Sequence, residues 1–528
     1  MDIKTINKME NVTPQTQIGG YARLAIAFLF IAIVFIWTSL SHGSVENNTF
    51  LIIGAAFGAY MAMNIGANDV ANNVGPAVGS KALTLFWAIV IAAIFEAAGA
   101  LIAGGEVVKT IKKGIIDPAM IPNIDVFIWA MTAALLSAAA WLNFATKVGA
   151  PVSTTHSIVG GVMGAGIAAA GFGIVDWGTM GKIAASWIIS PVLGGAIAAG
   201  FLYFIKVKIT QQEDMLANAK KFVPILVAIM SVAFSTYLML KGIKKLVKVD
   251  FISALMIGSV AGGLIYVYVK PRIARTADKL ANNKDSVNNL FTIPLIFAAA
   301  LLSFAHGAND VANAIGPLAA INDAVVSGGA FGGKVGIPLW VMGVGAVGIA
   351  LGLALYGPKL IKTVGSEITE LDQMRAFSIA MAASITVIIA SQLGLPVSST
   401  HIAVGGVFGV GFLREYLDSS ETKWLQKTKE HFKATKKELA ELKEELEKLE
   451  IKESKTQEEY ERIIELFKLI DEKVDVLKDE KKEYKGAKKI KYVKRDAVKK
   501  IIAAWVITVP AAATLSAGVF FMIKGIVS

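Results

Sequence analysis

The string GANDVANNVGP occupies Gly66–Pro76 and returns with only two changes as GANDVANAIGP at Gly307–Pro317. A second pair follows in the same order, PVSTTHSIVGGVMGAG from Pro151 and PVSSTHIAVGGVFGVG from Pro396. Two collinear matches indicate an internal duplication. Each half therefore contains one motif of each kind, and the fold has to be one that is built twice.

Composition places this duplication in a membrane. Of the 528 residues, 55% are hydrophobic and 18% charged, and the mean hydropathy is +0.58. Between Arg414 and Lys500 lie 25 of the 52 Lys and Arg residues and 22 of the 41 Asp and Glu residues. This distribution predicts an all-α polytopic membrane protein with one charged, helical insertion, and it excludes a wholly soluble enzyme. The absence of cysteine excludes thiol catalysis and disulfide scaffolds.

The apolar stretches predict about 12–13 membrane segments, since a spanning helix needs roughly 20 mostly apolar residues. The stretches at 152–170 and 396–413 are the weakest, because they are short and rich in glycine, serine and threonine. One linker helix separates the two repeats, so equivalent helices lie an odd number of crossings apart and run in opposite directions. This is the inverted-topology repeat of secondary transporters.

The predicted order is a polar tail, a first transmembrane repeat, a linker with one transmembrane helix, a second repeat, a charged cytoplasmic insertion and the last transmembrane helix. Their ranges are 1–20, 21–205, 206–250, 251–413, 414–497 and 498–528.

Lysine-rich loops at 206–221 and 270–289 predict the cytoplasmic side, which puts the N-terminus and the insertion in the cytoplasm of a multi-pass cell-membrane protein. The net charge of +11 is then explained by these loops, so no nucleic-acid partner is predicted. Basic residues at 109–113 and 241–248 fall on the outer face, against the rule.

The insertion carries apolar residues at steps of three and four, in 439–449 and again in 460–477. Such steps are typical of coiled-coil seams. Between them Thr456 and Glu459 have the spacing of a capping box, which favours an antiparallel helical hairpin. A regulatory role, a homodimer contact and a merely solvated excursion all remain open for it.

The GAND motifs offer oxygen ligands at membrane depth. A charged side chain at the bilayer centre costs about 2.5–3.5 kcal/mol, and glycine and proline there free backbone carbonyls that have to line a cavity. Carboxylate and amide oxygens suit a hard cation such as Na⁺, and no other metal is predicted. The predicted coupling-ion ligands are Asn68, Asp69, Asn72, Asn309, Asp310 and Asn313.

The PVS motifs offer the opposite chemistry. Pro151 and Pro396 each open a helix whose first turn carries hydroxyls, and a helix N-terminus presents unpaired N–H groups and a positive dipole end. Two such termini predict an oxyanion site that needs no arginine or lysine. Its hydroxyls are Ser153, Thr154, Thr155, Ser398, Ser399 and Thr400.

Three histidines accompany the motifs without the spacing of a zinc site. His156 and His401 end the hydroxyl strings, and a structural hydrogen-bonding role is predicted for them, with proton coupling as the alternative. His306 precedes the second GAND motif, where the first repeat has Ile65.

Three further polar residues are predicted as modulators of the site. Glu96 sits alone in an apolar run, and Lys147 precedes the first hydroxyl motif where the second repeat has Gln392. Buried charges of this kind usually face an internal cavity. Glu96 would tune ion coupling and Lys147 would attract the anion, although either could instead pair with a neighbouring residue.

The twin GANDVAN strings, each followed by PVSTTH or PVSSTH, resemble the inorganic phosphate transporter (PiT) family of cation-coupled symporters. The resemblance covers both halves and implies an inverted-repeat transporter rather than an enzyme, with inorganic phosphate as substrate and no cofactor. It implies coupling to Na⁺ or, in some members, to H⁺ or metal-phosphate complexes, and Na⁺ is the predicted coupling ion. It also implies that Asn68, Asp69, Asn309 and Asp310 lie at the ion and phosphate centre. A proton-coupled phosphate or sulfate permease of the same fold is the alternative.

Overall fold

A computed structural model describes residues 19–43, 48–148, 152–242, 249–326, 336–367, 371–417, 419–487 and 495–527. Nearly all of them are α-helical. Most of the predicted polar tail at 1–20, and Pro151, lie outside the described residues.

Seven α-helices of the described chain lie in the predicted first repeat. They are α1 (Gly20–His42), α2 (Asn48–Gly79), α3 (Leu85–Ala103), α4 (Gly105–Lys113), α5 (Ile124–Val148), α6 (Thr154–Ala170) and α7 (Trp177–Ile205).

Ten more helices follow in the described part of the chain. They are α8 (Met215–Lys241), α9 (Phe251–Ala277), α10 (Lys284–Leu290), α11 (Thr292–Val326), α12 (Leu339–Glu367), α13 (Gln373–Gln392), α14 (Ser399–Leu417), α15 (Ser419–Glu450), α16 (Gln457–Ala487) and α17 (Arg495–Val527).

Eleven helices of the described chain are long and apolar enough to cross a membrane, fewer than the 12–13 predicted. The difference is α6 and α14, which correspond to the two weakest predicted stretches. They have 17 and 19 residues and begin with the hydroxyl motifs. Polar first turns shorten the apolar part of each helix, so neither helix has the roughly 20 mostly apolar residues that a spanning helix needs.

Glycines of the GAND motifs set how the two repeats meet. A Cβ added at Gly66 of α2 would lie 2.0 Å from the carbonyl oxygen of Ile349 in α12, and one at Gly307 of α11 would lie 2.1 Å from that of Glu96 in α3. Only glycine allows such an approach of backbone to backbone. Since Gly66 and Gly307 hold the same motif position, Glu96 and Ile349 are equivalent positions of the two halves.

The second motifs interlock in the same way. A Cβ at Gly164 of α6 would lie 2.2 Å from the carbonyl oxygen of Ala513 in α17, and one at Gly409 of α14 would lie 2.0 Å from that of Gly195 in α7. The last helix of each repeat therefore packs on the hydroxyl-motif helix of the other. The two repeats form one interleaved core.

The charged insertion forms a compact unit of its own, Gly411–Lys494. Its helices α15 and α16 pack through a seam of buried side chains, Leu439, Leu446, Leu466 and Ile470. The α16 helix begins with a reciprocal cap, in which the Thr456 N–H donates to the Glu459 carboxylate at 2.9 Å. The Glu459 N–H donates back to the Thr456 hydroxyl at 3.4 Å.

Candidate functional site

The two motif aspartates lie in the buried centre between the repeats. Asp69 on α2 is 0% exposed and Asp310 on α11 is 1% exposed. The Thr154 hydroxyl, in the first turn of α6, lies 2.9 Å from Oδ2 of Asp69 and 3.3 Å from Oδ2 of Asp310. One hydroxyl is therefore shared by carboxylates from both halves, which makes this a single site rather than two.

Each repeat also holds the hydroxyl helix of the other. The Asn72 amide donates to the Thr400 hydroxyl at 2.9 Å, and the Asn313 amide donates to the Thr155 hydroxyl at 3.1 Å. The two bonds are equivalent by the repeat symmetry, because in each one the asparagine of one repeat donates to the threonine of the other. They connect α2 to α14 and α11 to α6, so the site exists only when the repeats are assembled.

The six predicted phosphate hydroxyls divide into two groups. Ser153 and Ser398 accept hydrogen bonds from the N–H groups of His156 and His401, at 3.1 Å and 3.3 Å, and so cap their helices. The other four hydroxyls belong to the two residues that follow each of these serines, in the first turns of α6 and α14, and all four are buried. They are Thr154, Thr155, Ser399 and Thr400.

Two of these four hydroxyls, those of the second repeat, also donate hydrogen bonds to the carboxylates. Ser399 donates to Asp310 at 3.3 Å and Thr400 donates to Asp69 at 3.1 Å. Each carboxylate thus receives hydroxyls at the positive end of a short helix.

The first asparagine of each GAND motif holds the extended segment before the hydroxyl helix. The Asn68 amide donates to the carbonyl oxygen of Val152 at 3.2 Å. The Asn309 amide donates to the carbonyl oxygen of Leu395 at 3.2 Å and to the Ser391 hydroxyl at 2.9 Å. Two of the predicted ion ligands, Asn68 and Asn309, therefore position the backbone that leads into the hydroxyl helices.

Oxygen atoms of the second GAND motif are left without partners. Oδ1 of Asn309, Asp310 and Asn313 are buried and accept no hydrogen bond from any described residue. In the first motif Oδ1 of Asn73 also lacks a partner, but both carboxylate oxygens of Asp69 accept hydrogen bonds. Buried acceptors without a donor are costly in a protein interior. A hard cation would satisfy them.

A histidine completes the centre. Nε2 of His306 lies 3.3 Å from Oδ2 of Asp310 and 3.6 Å from Oδ2 of Asp69, and its Nδ1 lies 3.3 Å from Oε2 of Glu96. The other Glu96 oxygen accepts a hydrogen bond from the Asn73 amide at 2.8 Å. All five side chains are buried.

Sequence reasoning did not bring His306, Glu96 and Asn73 together. The available signal was the comparison of the two repeats, in which Ile65 stands for His306 and Ala314 stands for Asn73. Departures from an otherwise repeated string mark where the halves differ in chemistry.

The sequence matches the profile of the phosphate transporter family over residues 65–516. The chain belongs to the phosphate transporter family. It is therefore a multi-pass membrane protein of a transporter family and not an enzyme, as the motifs predict.

Relatives within this family match most or nearly all of the chain. A protein of Helicobacter pylori strain J99 named "Putative phosphate permease" is 50% identical over 98% of both chains. A relative of the same description from Pyrococcus abyssi is 40% identical over 70% of this chain and 90% of its own. The solved structure described as "The sodium-dependent phosphate transporter" covers 90% of this chain and 100% of its own, with 30% identity and a TM-score of 0.72.

Two of the predicted modulators of the transporter do not join the centre in the described structure. Lys147 is exposed in the last turn of α5. Gln392 is exposed at the end of α13, where it lines an apolar groove of about 560 Å³ with residues such as Tyr237. The third, Glu96, lies in the centre itself.

His156 and His401 lie in the first turns of the hydroxyl helices α6 and α14 and make aromatic contacts. Their ring centroids are 4.5 Å apart. The His156 ring packs on Trp187 at 3.8 Å, and the His401 ring stacks on Trp505 at 3.6 Å. The pair fixes the start of both helices against the last helix of each repeat.

Proposed function

We propose that the protein is a symporter that takes up inorganic phosphate across the cell membrane, driven by an inward Na⁺ gradient. The observation that carries the proposal is the juxtaposition of two hydroxyl-bearing helix N-termini with unpartnered oxygens of the second GAND motif. One set fits an oxyanion and the other fits a hard cation. Both belong to one buried site.

Phosphate alone would be repelled by this site. Two like charges about 4 Å apart interact with about 4 kcal/mol at an effective dielectric constant of 20, and Asp69 and Asp310 stand directly beside the hydroxyls. A cation between the carboxylates and the anion removes this repulsion. Binding of phosphate therefore requires the cation, which is the physical basis of coupling.

Na⁺ suits the unpartnered ligands because they are carboxylate and amide oxygens. The fold neighbour described as sodium-dependent supports the same choice of ion. Asn309, Asp310 and Asn313 would then hold the ion, while the hydroxyls of α6 and α14 hold the phosphate.

The buried position of the site requires alternating access. Asp69, Asp310 and the four hydroxyls of the first turns are all 5% exposed or less, so neither membrane face reaches them in this conformation. Both repeats contribute ligands to the site. Rocking of one group of helices against another would open it to one side at a time.

The contacts of His306 favour a second candidate, proton-coupled phosphate transport. Its ring touches both aspartates, and histidine is the residue that most readily exchanges protons near neutral pH. In that case the imidazole, and not a sodium ion, would change the charge of the centre.

Uptake of labelled phosphate into liposomes that contain the purified protein tests the proposal. Gradients of Na⁺, K⁺ and pH are imposed separately, and Asp310→Asn is the matched variant. We expect concentrative uptake with Na⁺ alone and its loss in Asp310→Asn. Uptake that follows the pH gradient in the absence of Na⁺ would favour the second candidate.

A further inference from the structure

The short helix α4 lies across the end of the second GAND motif on α11 and the part of α11 that follows it. Ile111 of α4 packs on Gly316 so closely that a Cβ there would lie 2.6 Å from its Cγ2. Gly316 stands one turn beyond Asn313 on α11. Val107, Val108 and Ile111 are each 1% exposed or less. The helix thus covers the end of the motif that leads away from the site.

Two polar contacts fasten α4 in place. Lys112 forms an ion pair with Asp323, and their side chains are only 6% and 13% exposed. The Thr110 hydroxyl donates to the carbonyl oxygen of Gly394 at 2.6 Å. Gly394 belongs to the segment between α13 and α14, just before the hydroxyl motif. One helix therefore joins both elements that the second repeat contributes to the site.

The ion pair exists in one half only. In the aligned repeats Asp323 corresponds to Ala82, just after the end of α2, so that position has no carboxylate for such a pair. A buried pair of charges is costly to separate when one partner is removed, because the other remains uncompensated. The Lys112–Asp323 ion pair is consequently a strong contact that is not repeated by the duplication.

We propose that α4 is a lid over one entrance to the phosphate site, held shut by Lys112–Asp323 and Thr110–Gly394. The lid has to release for phosphate to enter or leave on that face, so these residues set the balance between the closed and open conformations. The inference rests on the proposed transport function. It assigns gating residues that make no contact with the aspartates or the hydroxyls.

The lid also accounts for lysines that fall on the predicted outer face. Lys112 pairs with Asp323, and both Lys109 and Lys241 pair with Glu106, at 3.3 Å and 3.8 Å. Lysines paired with carboxylates add little free positive charge to a loop. Their position is therefore compatible with an extracellular lid.

The absence of native cysteine makes the lid directly testable. Ala320 is 2% exposed and lies between Gly316 and Asp323 on the face of α11 that α4 covers. The probe is the labelling rate of Ala320→Cys by a small polar maleimide in nanodiscs, where both faces are accessible. The rate is measured for Ala320→Cys alone and for Ala320→Cys combined with Lys112→Glu, with Asp323→Lys or with both substitutions.

Each single charge reversal is expected to raise the labelling rate at least about fivefold, the lower range of coupling between sites. The double reversal restores the pair and is expected to return the rate toward that of Ala320→Cys alone, which separates gating from misfolding. Equal labelling rates in all four proteins would overturn the lid. So would a double variant that labels as fast as the singles. This readout does not depend on phosphate uptake.

A cross-link tests the consequence for transport. A Cβ built at Gly394 would lie 3.4 Å from the Thr110 hydroxyl oxygen, so Thr110→Cys/Gly394→Cys can form a disulfide that holds the lid shut. Because Gly394 has a φ of +69°, where a side chain is strained, the reduced double variant is the reference for the oxidised one. Oxidation is expected to abolish phosphate exchange and reduction to restore it. Full exchange in the oxidised protein would overturn the proposal. Absence of exchange in the unmodified protein would instead count against the proposed function.

Discussion

Oε2 of Glu96 lies 3.3 Å from Nδ1 of His306, whereas the equivalent positions of the other half are Ile349 and Ile65. Each pair stands where a GAND glycine meets the backbone of the opposite helix. The two halves thus share one fold but differ in charge at the same contact. The surroundings of Asp69 and Asp310 therefore differ in charge, although the two residues hold the same motif position.

Replacing Glu96 by Gln is expected to weaken Na⁺-dependent uptake. The amide keeps the shape of the side chain and still accepts from Asn73, but it no longer offers a carboxylate to His306, which orients toward both aspartates. Removing the carboxylate charge opposite this buried ring leaves a buried polar group without its counterpart, which costs about 1–3 kcal/mol. The Na⁺ concentration that gives half-maximal uptake should rise about tenfold, measured in proteoliposomes.

The apolar pair of the other half supplies the control. Glu96→Ile/His306→Ile, with Asn73→Ala, copies Ile349, Ile65 and Ala314. We expect its melting temperature in detergent to equal or exceed that of Glu96→Gln, while uptake stays low. Normal uptake by this triple variant would show that the Glu96–His306 contact is dispensable.

The exchanged hydrogen bonds predict that Thr155 and Thr400 both contribute to phosphate affinity. Each hydroxyl accepts an amide hydrogen from the opposite repeat, and valine keeps the size while removing the hydroxyl. A hydrogen bond to a charged group contributes about 1.5–3 kcal/mol, so the KM for phosphate should rise about tenfold or more in Thr155→Val and Thr400→Val.

Thr132→Val is the matched control for these two threonines. Its hydroxyl is also buried in a helix but donates only to the carbonyl oxygen of Ile128. It should leave KM unchanged. An equal change in all three variants would contradict a role of the two site hydroxyls in phosphate binding.

The close approach at Gly307 predicts a large loss of stability in Gly307→Ala. The new methyl group would lie 2.1 Å from the carbonyl oxygen of Glu96, so α3 and α11 have to move apart. Gly200→Ala in α7, where nothing lies within 4 Å, should instead gain about 0.5–1 kcal/mol. Thermal melting in detergent measures both, and equal melting temperatures would refute the tight contact.

The cap of α16 predicts a loosening of the insertion in acid. The Lys452 ammonium and the Thr456 N–H hold the pKa of the Glu459 carboxyl below its ordinary value. A lowered pKa in the folded state means that the cap stabilises fully above the ordinary pKa and is lost as the pH falls through the lowered one. Amide exchange at residues 457–461, corrected for intrinsic rates, should lose protection there.

Glu459→Gln serves as the reference for this cap, because its amide does not titrate in the acid range. Its exchange protection should be lower at neutral pH and should change less as the pH falls. Identical pH profiles of the two proteins would rule out the carboxylate cap.

Much of the centre is predictable because polar residues at membrane depth have few tolerable roles. The duplicated motifs place Asp69, Asp310 and the threonines in an apolar chain. Because an isolated charged side chain in a membrane has a high free-energy cost, these residues are expected to contact one another. The structure places them within hydrogen-bonding distance of one another. Duplication supplies what a single copy of either motif could not.

The remaining features depend on how far one helix slides along another. Glu96 reaches His306 only because glycines let α3 and α11 touch at that level, and no local pattern fixes this register. The same holds for Lys112 and Asp323, which lie far apart in sequence. Lys147 shows the converse, since a charge beside a motif in sequence is exposed at a helix end in space.

The central claim is that phosphate and Na⁺ bind one site together, and it is tested most directly by the phosphate affinity of the purified protein in Na⁺ and in K⁺. Titration calorimetry should show tighter binding in Na⁺ by at least about fivefold, with phosphate strengthening Na⁺ binding by the same factor. Asp310→Asn should lose this difference. Equal phosphate affinity of the unmodified protein in the two salts would contradict the account.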